Sequence, residues 1–447
     1  MPRIPPPHRL AELAAAHGVA TDYWDWLGQH VTVSADSIRA VLAALGVDAS
    51  TEEAVEAALL AHEDRPWRRT LPPSLVIREG WTPWVPVHVP AGCGVRLRVE
   101  CEDGSVREVH QVDRWVPDRV VDGTAVGEAT FELPGDLPLG WHRLVAEVEA
   151  SPLEAASTVC TLVVTPQRLS LPAGVDHERV VGLMAQLYQV RSSGSWGTGD
   201  LRDLADLASW AAAAHGADFV LVNPLHAAEP VPPMEPSPYL PTTRRFVNPL
   251  YLRVDDVPEV ATLENSAHRR LLQLGASARA LNAEDTIDRD GAWAAKREAL
   301  RLVYDAGLGA GRAAAFAEFC EREGEGLLRF ATWCALGEVH GLPFSTWPEE
   351  YRDPDSPAVT RFRAERAADV DFHRWLQWLL AQQLRAVQRE ARAAGMSLGV
   401  VNDLAVGVHP LGADAWGLGD ALAREVTVGA PPDQFNQLGQ NWSQPPW

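Results

Sequence analysis

Three stretches decide the reading of this chain: VVGLMAQLY (Val180–Tyr188), LRDLADLASWAAAAH (Leu201–His215) and FVLVNPL (Phe219–Leu225). The first and third are short apolar runs, the pattern of buried strands, and the second has helical periodicity. Strand, helix and strand in that order predict a βαβ unit with a parallel pair. Gly194, Gly197 and Gly199 lie in the first turn and invite a dinucleotide reading. Their spacing is Gly-x-x-Gly-x-Gly, however, and no convincing acidic partner follows about 20 residues on. The competing reading makes Gly199-Asp200 the turn and N-cap of the helix, with Asp200 accepting from its first amides.

Downstream, a long helical stretch runs from about 262 to 394 and ends with Phe372, Trp375, Leu376, Leu379, Leu380, Leu384, Val387 and Ala391 on one face. Gly395 punctuates it, and Leu398 to Val401 is the next buried strand, closed by Asn402-Asp403. Successive strands that end in polar residues predict the first part of a (β/α)8 TIM-type barrel with its site at the carboxyl ends; about three strands are visible before Trp447.

Upstream, residues 8–62 place Leu10, Leu13, Ile38, Leu42, Leu45 and Val55 at helical spacing, with Ser34 and Ser50-Thr51 as cap candidates. From about 72 to 166 the period changes to two. Val95, Leu97, Val99 and Cys101 alternate with Arg96, Arg98 and Glu100, and turn signals such as Asp103-Gly104 separate the runs. That pattern predicts an antiparallel, Ig-like β-sandwich. The expected partition is a helical region at 1–71, a sandwich at 72–166 and an incomplete barrel at 167–447 with a helical insertion.

At 447 residues with 46% hydrophobic content the chain can bury more than one core. Its formal charge of −21 disfavours nucleic acid and anionic membrane surfaces as partners. No window approaches the length of a membrane span, and Met1 to Leu10 has no apolar signal region. Five cysteines, odd in number and in no Cys-x-x-Cys pair, fit a reducing cytoplasm. No metal or organic cofactor is expected.

The loop from Ser237 to Tyr251 presents Ser237, Tyr239, Arg244, Arg245 and Asn248, side chains able to hydrogen-bond a polar, uncharged ligand such as a sugar. His226 closes the second strand at a position where a lone histidine either packs or lines a site wall. The segment from Pro431 to Trp442 reads as a loop rich in amides, in which Asp433, Gln440 and Trp442 combine an acceptor, a two-way amide and a stacking surface. Composition alone would equally allow a solvated linker there.

These motifs, with Val181-Gly182-Leu183, Trp333-Cys334-Ala335-Leu336 and Phe372-His373-Arg374-Trp375-Leu376-Gln377-Trp378, resemble the amylomaltases. Those are the 4-α-glucanotransferases, or disproportionating enzymes, of glycoside hydrolase family seventy-seven. The resemblance implies malto-oligosaccharides or α-glucan as ligand and retaining transfer of α-1,4-glucan segments. It implies that Tyr239 lines the glucan site, that Gln440 and Trp442 contact the bound chain from a loop folded over it, and that Asp403 belongs to the same site; Ser237 and Asp433 join them as substrate-binding candidates on the chemistry of their side chains. Asp403 matches a family acid that usually follows Gly and here follows Asn402. Retaining transfer needs two carboxyl groups about 5–5.5 Å apart. The family places its nucleophile in an Arg-x-Asp-His motif that this sequence lacks, so the catalytic carboxylates are expected after Trp447 and the 447 residues alone are expected to be inactive. Two alternatives are a non-catalytic glucan-binding protein and an unrelated barrel hydrolase.

Overall fold

A computed structural model describes residues 6–149, 157–172, 175 and 179–446, so the first five residues of the expected helical region and Trp447 lie outside it. The chain divides into two compact units, Met1–Leu171 and Pro172–Trp447.

The first unit begins with α1 (His8–Ala16), α2 (Ala35–Ala44) and α3 (Glu52–Asp64). Ser34 and Thr51 cap α2 and α3 by accepting from the amides of Ser37 and Ala54, interactions worth about 1 kcal/mol each. Leu10, Leu13, Ile38, Leu42 and Val55 form the small core. A hairpin that the helical reading did not anticipate, β1 (Asp22–Trp24) with β2 (His30–Thr32), stands between α1 and α2. Every residue of β1 is exposed, so no alternation announces it.

The sandwich comprises β3 (Ser74–Arg78), β4 (Trp84–Pro90), β5 (Gly94–Glu100), β6 (Val106–Val112), β7 (Arg119–Val121), β8 (Thr124–Glu132), β9 (Gly140–Glu149) and β10 (Ser157–Thr165). Their order is β3-β10-β9-β5-β6-β8-β4, with β7 on β8. The alternation in the sequence buries Leu97, Val99, Leu144 and Ala146 between the layers, and β10 adds Cys160 and Leu162. One pair departs from the antiparallel expectation: β3 runs parallel to β10, Ser74 opposite Thr161 and Arg78 opposite Thr165. Parallel neighbours need a long crossover, and here the rest of the sandwich supplies it.

In the second unit β11 (Gly182–Ala185), β12 (Phe219–Val222) and β13 (Gly399–Asn402) form a parallel sheet in that order. Helix α4 (Leu201–His215) joins the first two, and α5 (Asn265–Ala280), α6 (Arg289–Asp305), α7 (Ala310–His340), α8 (Pro357–Glu365) and α9 (Ala367–Ala393) lie between the last two. The segment α7 breaks at Gly324, whose φ is 61°. Val220 and Val222 bury themselves in one core with Leu204, Ala208, Leu376 and Leu380. On the opposite sheet face Met184 is 77% exposed and Val401 38%.

Helix α4 starts where the cap reading places it. Asp200 accepts from the amides of Arg202 and Asp203 at 3.0 and 3.3 Å, and Asp203 accepts back from the Asp200 amide at 3.0 Å, a reciprocal capping box. A Cβ on Gly199 would sit 1.9 Å from the Leu187 carbonyl oxygen, so close backbone approach, not phosphate binding, accounts for that glycine. Beneath the cap lies a buried ionic cluster. The Arg253 guanidinium donates to Asp200 and Asp203 at 2.6 and 2.9 Å, and Lys296, the only lysine, donates to the carbonyls of Leu250 and Leu252 at 2.5 and 3.0 Å. Burial outweighs the nearby Asp200 and pulls the Lys296 ammonium down to about 8.

Candidate functional site

The carboxyl end of β12 is shaped by Asn223. Its Oδ1 accepts from the Leu187 amide at 2.8 Å, and its Nδ2 donates to the Pro224 carbonyl and the Tyr251 hydroxyl. These bonds end the strand at Val222 instead of carrying it to Leu225. Beyond it the chain runs through His226, which forms a single antiparallel bridge with Val247. The prolines then hold the Ser237–Pro241 turn at the surface. Ser237 is exposed and accepts from the Tyr239 amide at 3.4 Å, while the Tyr239 ring is 47% exposed.

Three other side chains read as ligand donors are engaged within the fold. Asn248 is buried and caps the following turn, accepting from the Leu250 amide at 3.0 Å. Arg245 lies over Phe246 and packs on Gly326 of α7. Arg244 donates to the carbonyls of Ala405 and Val406 at 3.2 and 3.0 Å. Each satisfies backbone or covers apolar surface, demands that a list of side-chain donors does not reveal.

After β13 the Asp403 amide donates to the Val222 carbonyl at 3.1 Å, and the exposed Asp403 carboxylate accepts from the next amide at 2.9 Å. The loop continues to α10 (Ala413–Leu418) and is stitched to the β12 loop by backbone bonds from His409 to Pro241 and from Asp414 to Thr242. Burial pushes the Asp414 carboxyl up, against bonds from Thr243 and the Arg244 amide. Burial likewise pulls the His409 imidazole down, opposed by Glu235.

The segment expected as a loop up to Trp442 is instead a ribbon in its second half. Here β14 (Val428–Ala430) pairs antiparallel with β15 (Gln440–Gln444) across a tip at 431–439. Four of the five β15 residues are exposed, which removes the alternation that marks a strand. Gln440 and Trp442 share one face, and the Gln440 Oε1 accepts from the Trp442 indole at 2.9 Å, fixing the ring. The Asp433 Oδ1 holds the tip by accepting from the amides of Phe435 and Asn436 at 2.8 and 2.6 Å.

Gln444, which the sequence reading did not single out, draws these pieces together. It is buried, its Nε2 donates to the Tyr239 carbonyl at 3.1 Å, and its side chain packs on Gly407, where a Cβ would come within 2.8 Å of its Oε1. The ribbon, the Tyr239 turn and the Asp403 loop therefore meet at one amide. The sequence offers only the spacing of Gln440, Trp442 and Gln444 as a trace of this role. Among the described residues no group of three or more His, Cys, Asp or Glu could hold a metal ion, and no helix is long and apolar enough to cross a membrane.

A β-sandwich followed by parallel strands with polar and aromatic loops at their carboxyl ends is the first part of a TIM-type barrel of the amylomaltase kind. A family model described as 4-alpha-glucanotransferase matches residues 185–447, and one described as the MalQ N-terminal beta sandwich domain matches 70–166. The chain belongs to the 4-alpha-glucanotransferase family, glycoside hydrolase family seventy-seven. It is 53% identical over 445 residues to the 4-alpha-glucanotransferase of Mycobacterium tuberculosis, covering 98% of this chain and 61% of that protein. A Haemophilus influenzae 4-alpha-glucanotransferase is 33% identical over 329 residues, 70% of this chain and 46% of the relative. The crystal structure of amylomaltase from Corynebacterium glutamicum superposes with a TM-score of 0.85 at 46% identity, covering 98% of this chain and 60% of that one. The amylomaltase of Streptococcus agalactiae in complex with acarbose shares the fold at 15% identity, with a TM-score of 0.50 over 60% of this chain and 53% of its own. The chain thus spans about 61% of the length of the mycobacterial relative.

Proposed function

We infer that this chain supplies the glucan-holding part of a 4-α-glucanotransferase, a cytoplasmic enzyme that moves α-1,4-glucan segments between malto-oligosaccharides. The observation that carries the reading is the junction at Gln444, which brings the Tyr239 turn, the Asp403 loop and the Gln440–Trp442 strand to one place at the carboxyl ends of the barrel strands. Tyr239 and Trp442 offer ring faces for the C–H side of glucose, and Ser237, Asp403, Asp433 and Gln440 offer hydrogen bonds to hydroxyls. In the retaining reaction a carboxylate attacks the anomeric carbon while a second carboxyl group protonates the leaving oxygen, and a sugar hydroxyl then takes the glycosyl group. No catalytic carboxylate is assigned within the 447 residues. The sequence lacks an Arg-x-Asp-His motif, which favours glucan binding without turnover as a second reading of these residues taken by themselves. We assign three domains to the chain, at 1–71, 72–166 and 167–447.

Calorimetric titration with maltotriose and with a phosphorylated sugar tests the reading. Binding of the neutral sugar, weakened in Asp403→Asn and Trp442→Ala, is the expected result. Preference for the phosphorylated sugar would overturn it.

A further inference from the structure

In the loop that carries Asp403 the side chains of Leu404 and Val406 face outward, 64% and 60% exposed, while Ala405 and Val408 turn inward and are buried. Two side chains from the β12 loop reach across and bind its backbone. The Ala405 amide donates to the His226 Nε2 at 3.4 Å, and Arg244 donates to the carbonyls of Ala405 and Val406 at 3.2 and 3.0 Å. Arg244 is itself held through its own amide, which donates to Asp414 Oδ2 at 3.3 Å. The donor and acceptor of one residue, Ala405, are therefore both read by this pair.

We propose that His226 and Arg244 are positioning residues that clamp the 403–406 backbone and so set where the Asp403 carboxylate meets the glucan. This rests on the reading of Asp403 as a glucan contact. Neither side chain need touch sugar; both act through main-chain groups, and a displacement of about 1 Å at such a contact is costly.

The clamp has a protonation signature. To accept from Ala405, the His226 Nε2 must be unprotonated, with the ring proton on Nδ1. Burial, then Arg244, pull the imidazole below its ordinary value, and Asp403 opposes them. Glu235 and Arg289 line the same small cavity. Protonation removes the acceptor, sets a second cation beside Arg244 and draws Asp403 toward the ring, so the clamp opens as pH falls below the ordinary histidine range. Gln at 226 offers a carbonyl acceptor that does not titrate.

Hydrogen exchange of the 403–412 segment, corrected for the intrinsic pH dependence of exchange, reads the clamp directly. In the wild-type chain protection should fall between pH 7 and 5. His226→Ala should lose it at both values, and His226→Gln should keep it at both. Maltotriose affinity should follow, weakening about three- to ten-fold in His226→Ala and Arg244→Ala, as expected for one or two lost hydrogen bonds, and losing its acid sensitivity in His226→Gln. Exchange in His226→Ala that matches wild type overturns the clamp whether or not sugar binds. Altered exchange with unchanged affinity overturns the positioning role. If Asp403→Asn leaves affinity untouched, or the wild-type chain binds no maltotriose, the glucan reading fails and exchange alone judges the clamp.

Discussion

Gln444 and Tyr239 lie 205 positions apart in sequence, yet the side-chain amide of the first donates to the main-chain carbonyl of the second at 3.1 Å. Both partners are tethered. Gln444 ends a strand whose other side chains face outward, and Tyr239 sits on a turn held by prolines. The bond ties the ribbon to the turn and leaves the Tyr239 ring and hydroxyl unengaged by it.

Replacing Gln444 by Ala should therefore loosen the ribbon while the fold persists. A net hydrogen bond is worth about 1 kcal/mol, too little to unfold the unit. Faster amide exchange at 440–444 and weaker maltotriose binding, with little change in global melting, are the expected results. A large loss of global stability with unchanged sugar affinity would count against a local role.

Trp442→Ala should weaken maltotriose binding by about two- to thirteen-fold, since aromatic contacts contribute about 0.5–1.5 kcal/mol beyond area burial. Trp442→Phe should recover part of the loss. Equal affinities for all three proteins in a titration would mean that the ring only packs against Gln440.

Lys296 gives a pH dependence of definite sign. Its folded value of about 8 lies below its ordinary 10.5, so between them the unfolded chain binds more protons and stability from this group rises with pH. The full difference corresponds to roughly 3 kcal/mol. Chemical denaturation at pH 8 and 10 should give a larger stability gain, or a smaller loss, for the wild type than for Lys296→Met. Parallel pH profiles for the two would show that the buried ammonium does not titrate in this window.

Residues 72–166 expressed alone should melt cooperatively, since their alternating strands bury one another. Starting the piece at Thr70 should raise the midpoint, because Leu71 is 3% exposed in the sandwich core and the Thr70 carbonyl accepts from His88. In a domain of this size each kcal/mol shifts the midpoint by about 4–8 °C. A broad transition in both pieces would show dependence on the helices.

What the sequence made legible follows from what local patterns encode. Helix α4 is legible at its observed bounds from its periodicity over Leu201–His215 and the Asp200 cap; in the structure Gly216, with φ 63°, closes it. The sandwich strands β5 and β9 and the three barrel strands are legible through apolar alternation or runs. The hairpin β1–β2 and the ribbon strand β15 are not, because their side chains face solvent and leave no periodic trace. Arg244, Arg245 and Asn248 were read as ligand donors because a sequence lists donors without their acceptors, and the acceptors of Arg244 are carbonyls more than 160 positions away. The roles of Gln444 and His226 were hidden for the same reason.

The parallel pairing of β3 with β10 has a consequence for biosynthesis. In its sheet β3 neighbours only β10, so Ser74–Arg78 leaves the ribosome with its strand partner still unmade. At 5–20 residues per second the wait until Thr165 emerges is on the order of ten seconds. Throughout that interval Leu75 and Ile77, which finish packed in the core, are open to any holdase near the exit tunnel. The order of translation thus makes the first strand of the sandwich the last to find its place.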